Sequence, residues 1–194
     1  MPGSDARVPD AAASLADWLA PDLRLLSVGI NPSLRAVREG FYFPNPHNRF
    51  WPALNASGLL AAPVTPGPAA MPLILTRDRI GFTDICKTAS SMAHQVRAGD
   101  FRAGAARLAA VVGACRPRAL WFHGAMAYGA FCRYVLRAQA VIEPGAQPQA
   151  FAGVPIFVTP NPSPANARFS LGDLVDRYLE LADWVAALDR ENAG

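Results

Sequence analysis

The chain has 194 residues, 52% hydrophobic and 17% charged, with a net charge of +3 and a sequence pI of about 9.0. This composition excludes a disordered chain and suits one domain with a sizeable core. No apolar stretch is long enough to cross a bilayer, and Met1 to Asp10 lacks the apolar region of a secretory signal, so a cytoplasmic protein without a membrane partner is expected.

In chain order, Ala11 to Ala20 reads as a short helix capped by Asp10 and broken at Pro21-Asp22. Leu23 to Val28 is short and apolar enough for a buried strand, ending at Gly29. Asn31 to Arg49 is rich in Pro, Gly, Asn and aromatics. It reads as a long loop or a loop with one irregular turn, and long ordered loops are often functional. Phe50 to Ser57 reads as a short helix stopped by Gly58, and the Pro-rich Ala61 to Ala70 as surface. Pro72 to Thr76 is ambiguous between a strand and a helix end. A short strand is expected at Gly81 to Cys86, and a helix at Phe101 to Ala114 with Leu108, Val111 and Val112 inward. Arg118 to Phe122 is a strand, Gly124 to Leu136 a helix and Val154 to Thr159 a strand. Ser170 to Leu188 is the clearest helix. Ser170 and Asp173 form a capping-box-like start, and Leu171, Leu174, Val175, Tyr178, Ala182 and Val185 mark one apolar face.

Short apolar strands alternating with helices predict an α/β fold: one three-layer α/β/α domain over residues 1–194, core about 21–188, around a central, mainly parallel sheet. In such sheets ligands bind beyond the carboxyl ends of the strands. Two strands here end in the same tripeptide, Asn31-Pro32-Ser33 and Asn161-Pro162-Ser163. If those strands are neighbours, Asn31 and Asn161 converge.

Several chemistries lack their residues. His and Cys do not have zinc spacing, and three cysteines (Cys86, Cys115, Cys132) cannot supply a four-thiolate cluster; buried free thiols are expected. No glycine-rich dinucleotide fingerprint or phosphate-loop lysine is present, and neither Ser33 nor Ser163 has a nucleophile-elbow context. No cofactor or metal is expected. Between the two tripeptides, Gly40 to Trp51 reads GFYFPNPHNRFW. Its aromatics suit a loop folded back on the core. Asn45, His47, Asn48 and Arg49 among them also suit a planar, hydrogen-bonding ligand.

The stretch GINPSLRAVREGFYFPNPHNRFW resembles the first motif of the mismatch-specific uracil/thymine-DNA glycosylases, a branch of the uracil-DNA glycosylase superfamily. TPNPSPANARFSLGDLVDRYLELA resembles the second motif, and IGFTDI a shorter stretch between them. The resemblance spans Leu23 to Ala182, in order and with compatible spacing. It implies a uracil-DNA glycosylase-like fold in a monomer that acts on double-stranded DNA containing a mismatched or damaged base. By the same resemblance Asn31 positions the attacking water and Phe43 stacks on the extruded base. Asn161 supports the flipped nucleotide, and the loop Ser163, Pro164, Ala165, Asn166, Arg168 is the wedge that enters the duplex. Backbone groups around Gly29, Ile30 and Phe43 would bind the departing base.

Asp84 in GFTDI sits where better-known members of the family carry Lys or Asn; it is a second catalytic candidate, as a pocket carboxylate that hydrogen-bonds a base N–H or shares water activation with Asn31, and the alternative is a solvated or structurally capped carboxylate. The wedge loop departs from the pattern of the family's bacterial members: SPANA resembles the branch that removes hypoxanthine and offers no large apolar side chain, so Pro164, or the polar Asn166 and Arg168, are the expected fillers of the gap. A purine-directed glycosylase, or a non-catalytic binder of mismatches and abasic sites, are therefore the alternatives. Arg35, Arg49 and Arg168 are the expected phosphate contacts, with Thr88, Ser90 and Ser91 as further phosphate partners. His47 reads as a loop-ordering residue, His94 as solvated, and His123 as a structural residue near the rim of the site.

Overall fold

Mostly apolar runs form strands buried on both faces, as parallel sheets require. In the computed structural model, which describes residues 14–90, 96–139 and 142–191, these are β1 (Leu25–Gly29), β2 (Ile80–Asp84), β3 (Leu120–His123) and β5 (Val154–Thr159). A further strand, β4 (Gly145–Phe151), pairs antiparallel with β5 at one edge, and the sheet order is β2-β1-β3-β5-β4. The mainly parallel sheet is as expected. The two strands that end in Asn-Pro-Ser are not neighbours, however, because β3 lies between them.

Helices cover both faces. Helices α2 (Phe50–Ala56), α3 (Ala70–Leu73) and α6 (Leu171–Glu191) close one side, where Leu54, Met71 and Tyr178 pack on Phe82, Trp121 and Phe157. Helices α4 (Ala98–Cys115) and α5 (Ala125–Phe131) close the other, with Leu108, Val112 and Phe131 against Val28, Phe122 and Val158. This is the three-layer α/β/α architecture. α1 (Leu34–Glu39) is the turn inside the first motif loop, capped by the Ser33 hydroxyl and ended by Gly40.

Two local expectations need correction, at Ser14 to Ala20 and at Leu171. Ser14 to Ala20 is not helical; Trp18 exchanges two 2.9 Å backbone hydrogen bonds with Phe82. β2 is an edge strand whose free backbone groups need partners, and that demand outweighs helix propensity. Ala11 to Ala13 and Asp10 lie outside the described residues. Pro72 to Thr76 belongs to α3 and the π-helical turn after it, Ile74–Asp78. α5 likewise ends in a π-helical turn, Cys132–Leu136. The buried face of α6 is Leu174, Tyr178, Leu181 and Val185, while Leu171 is exposed. The capping box at Ser170 and Asp173 forms as expected.

Candidate active site

Side chains alternate along a strand, so Leu25, Ser27 and Gly29 share one face of the sheet. Register then places a row of positions at the carboxyl ends: Gly29 is paired with Asp84, and His123 with Thr159. Val28 pairs with Phe122, which brings the Gly29 and His123 strand ends side by side. The row faces the aromatic layer of Tyr42, Phe43 and Phe50. Gly29 is required there, since a Cβ at this position would lie 2.1 Å from Asp84 Oδ1.

Asn31 leaves β1 just beyond this row, half-buried. Its Nδ2 donates to Ser90 Oγ at 2.7 Å, to the Pro32 carbonyl at 3.1 Å and to the Thr88 carbonyl at 3.4 Å. Among the described residues its Oδ1 accepts no hydrogen bond, so the amide is fixed with an acceptor left over. The segment that fixes it is zipped to the motif by Cys86 N–H to the Ile30 carbonyl (2.8 Å) and Ser90 N–H to the Pro32 carbonyl (3.1 Å). Ser90 thus holds Asn31, a role its expected place among phosphate partners did not suggest. Ser91 and His94 lie outside the described residues.

Asp84 is buried, and among the described residues its Oδ2 has no hydrogen-bond partner. Burial pushes its carboxyl up to about 7, against the lowering pull of the Lys87 cation, while Asp17 raises it further. The Tyr42 hydroxyl lies beside the same carboxyl without completing a hydrogen bond; burial and then the Asp84 charge push the phenol up. Behind Asp84 sits an ionic network. Asp17 accepts from Lys87 Nζ (2.7 Å), Arg107 Nη1 (2.7 Å) and Thr83 Oγ1 (2.9 Å), and Arg107 also donates to the Asp84 backbone carbonyl. The only lysine of the chain is therefore engaged in holding Asp84's surroundings.

Phe43 takes a left-handed backbone (φ 56°) and is half-buried. One ring face stacks on Phe50 at 3.9 Å, and His123 meets it edge-on at 5.0 Å. Trp51 Nε1 donates to the Phe43 carbonyl at 3.2 Å and pins the turn. His123 is buried beneath these rings with Nε2 2.8 Å from Ser27 Oγ, and burial pulls its pKa down to about 3, so it is neutral. His123 is thus the floor under Phe43 rather than a rim residue. Tyr42 and Ser27 were not singled out in the sequence; the only trace of Ser27 is one hydroxyl inside an otherwise apolar strand.

The polar residues of the motif loop are largely spent on the loop itself. Asn45 Oδ1 accepts from the His47 N–H and Asn48 Oδ1 from the Phe50 N–H, each at 2.9 Å, so these amides shape turns rather than read a ligand edge. The His47 backbone belongs to that turn, and its side chain is exposed. Arg49 is not free for phosphate: its guanidinium donates to the carbonyls of Ser163 (2.6 Å), Asn166 (2.9 Å) and Phe169. It ties the first motif to the second loop. Arg35 pairs with Glu39 at 2.6 Å. Arg168 is exposed over the Phe169 ring, 5.4 Å from its centroid.

Asn161 is exposed, and its Oδ1 accepts from the Ser163 N–H at 2.9 Å. Pro164 and Ala165 are exposed at the tip of the loop. The Asn166 amide folds back onto the Asn161 carbonyl at 2.9 Å. Gly124 (φ 99°) presses the end of β3 against this loop, where a Cβ would lie 2.9 Å from Asn161 Cβ. β3 and its Gly124 turn stand between Asn31 and Asn161, so the two amides flank one strand end instead of converging directly. A cavity of about 540 Å³ lies between the loop and the start of α5, lined by Met126, Glu143, Asn161, Asn166 and Arg168 among others. No cluster of potential metal ligands occurs among the described residues, and none of their helices is long and apolar enough to cross a membrane.

The family model for the uracil DNA glycosylase superfamily matches residues 16–185. A candidate uracil DNA glycosylase from Methanosarcina acetivorans, solved by NMR, aligns with a TM-score of 0.61 over 88% of this chain and 97% of that chain, at 19% identity. At that identity the likeness speaks for the fold alone.

Proposed function

Because the chain belongs to the uracil DNA glycosylase superfamily, we propose that it is a monofunctional DNA glycosylase that removes uracil, or a related deaminated base, from mismatched duplex DNA. The observation that carries this reading is Asn31: its Nδ2 is anchored on Ser90 and its Oδ1 left to accept, just beyond the strand end at which Gly29 is paired with Asp84.

In the reaction the C1′–N bond breaks with both electrons leaving on the base, and a water oxygen bonds to C1′. Asn31 Oδ1 accepts one water proton and orients the lone pair; it does not remove the proton. Asp84, with a carboxyl near 7, takes the water's other proton at neutral pH. Phe43 receives the flipped base on the face opposite Phe50, and backbone N–H groups around Ile30 and Phe43 stabilise the charge on the leaving base. Gly29 leaves the space that the Asp84 carboxyl fills. Asn161 supports the flipped nucleotide from the second loop. A mispaired base costs less to extrude, which gives the mismatch preference a physical origin.

Release of free base from otherwise identical duplexes carrying uracil or hypoxanthine, opposite guanine or opposite a complementary partner, tests the reading. Faster release of uracil from the guanine mismatch is expected. Preferential release of hypoxanthine would assign the site to purines.

A further inference from the structure

A base-flipping enzyme must fill the gap that the base leaves, and the loop expected to do so is poorly equipped. Its side chains are Ser163, Pro164, Ala165, Asn166, Ala167 and Arg168. Asn166 is turned back onto the Asn161 carbonyl, Arg49 holds the loop's carbonyls from behind, and Arg168 lies over Phe169. Across the cavity stands a side chain of the kind that is missing. Met126 is 89% exposed, whereas every other exposed large apolar residue among the described residues is at 44% or below. It projects from the first turn of α5, two residues after Gly124, which is packed against Asn161. Met126 and the loop residues Asn161, Ser163, Ala165, Asn166 and Arg168 line the same cavity.

We propose that Met126, from the turn after β3 rather than from the 163–168 loop, is the wedge that enters the base stack when the target nucleotide is flipped. The inference rests on the reading of the protein as a duplex-DNA glycosylase. An unbranched thioether has three rotatable bonds and a polarisable sulfur, so it can reach across the opening and lie between base faces. Apolar side chains, methionine among them, serve as such wedges in other DNA-bending proteins. Arg168 beside it supplies a cation for the flanking phosphate, and the loop acts as the rigid wall against which the wedge works.

The test compares wild type, Met126→Ala, Met126→Leu and Pro164→Ala on a uracil-containing oligonucleotide, single-stranded and in duplex, under single-turnover conditions. A 2-aminopurine placed next to the uracil reports unstacking by its fluorescence. A wedge is needed only in duplex. Met126→Ala is expected to lose on the order of ten-fold in duplex excision and most of the fluorescence rise, with single-strand excision unchanged. Met126→Leu should restore both, and Pro164→Ala should lose less of the fluorescence rise than Met126→Ala. Equal duplex excision by Met126→Ala and wild type overturns the wedge, as does a loss confined to Pro164→Ala. A loss by Met126→Ala that is equal on single strands indicates damage to the fold or pocket and also overturns it. A wild type inactive on both substrates refutes the glycosylase reading itself, and the wedge with it.

Discussion

Asp84 and Gly29 make one unit at the residue scale, because the glycine's missing Cβ is the space occupied by the carboxylate. Gly29→Ala forces a buried carboxyl to move, at a cost of about 1–3 kcal/mol. Urea denaturation should show that loss, together with a fall in excision. Asp84 itself gives a pH prediction. Its folded pKa, about 7, lies above the ordinary value, so the native state binds more protons than the unfolded chain between about 4 and 7. Its contribution to stability is fully present below the ordinary carboxylate pKa and is lost as pH rises through about 7. The slope reaches about 1.4 kcal/mol per pH unit. In Asp84→Asn that slope should disappear from stability curves measured between pH 5 and 9. The rate should respond in the opposite direction. If Asp84 takes the water proton, wild-type kcat/KM rises with pH through about 7 and the Asp84→Asn profile is flat and low. A rising limb retained in the variant would remove Asp84 from that role.

At the scale of elements, the second loop is built by the first motif. Arg49 precedes α2 and holds the carbonyls of Ser163 and Asn166, joining segments more than a hundred residues apart. Lysine cannot reproduce that planar fork. Arg49→Lys should therefore cost about 1.5–3 kcal/mol and expose the 163–169 loop to proteolysis. A loop equally protected in the variant would show that other contacts suffice. The sequence placed Arg49 in a functional motif but could not show that its partners were backbone carbonyls, which have no residue identity. β4 was missed for a related reason. GAQPQAF carries Pro148 and two glutamines, which argue against a strand, yet an edge strand tolerates proline where the ladder is interrupted, and its register shifts between Ala146 and Ala150. The buried strands and α6 were legible because short continuous apolar runs between turn signals, and an apolar face repeating every 3.6 residues, each match few local structures.

For the molecule as a whole, the layers followed from the alternation of strands and helices, but strand order did not. Nothing in the local pattern of Leu23 to Val28 or Val154 to Thr159 says that β3 will lie between them. That insertion gives the site its shape, with His123 and Gly124 between the two Asn-Pro-Ser turns. Charge was similarly half-legible. Arginines are plentiful, but Arg35, Arg49 and Arg107 have protein partners, which leaves Arg168 as the first candidate for DNA among the expected phosphate contacts. Arg168→Ala should reduce the slope of log K against log salt by about one phosphate contact. Filter binding or anisotropy over a salt series measures this, and an unchanged slope would place the contact elsewhere.

The central claim is that Asn31 directs water at the sugar of a flipped nucleotide. A duplex with a single uracil opposite guanine, incubated with protein and then treated with alkali, measures it directly. Wild type should give strand breaks at the uracil, and Asn31→Ala should give them at least about 100-fold more slowly while binding the duplex as well as before. Equal cleavage by Asn31→Ala, or tight binding by wild type without breaks, would contradict the account.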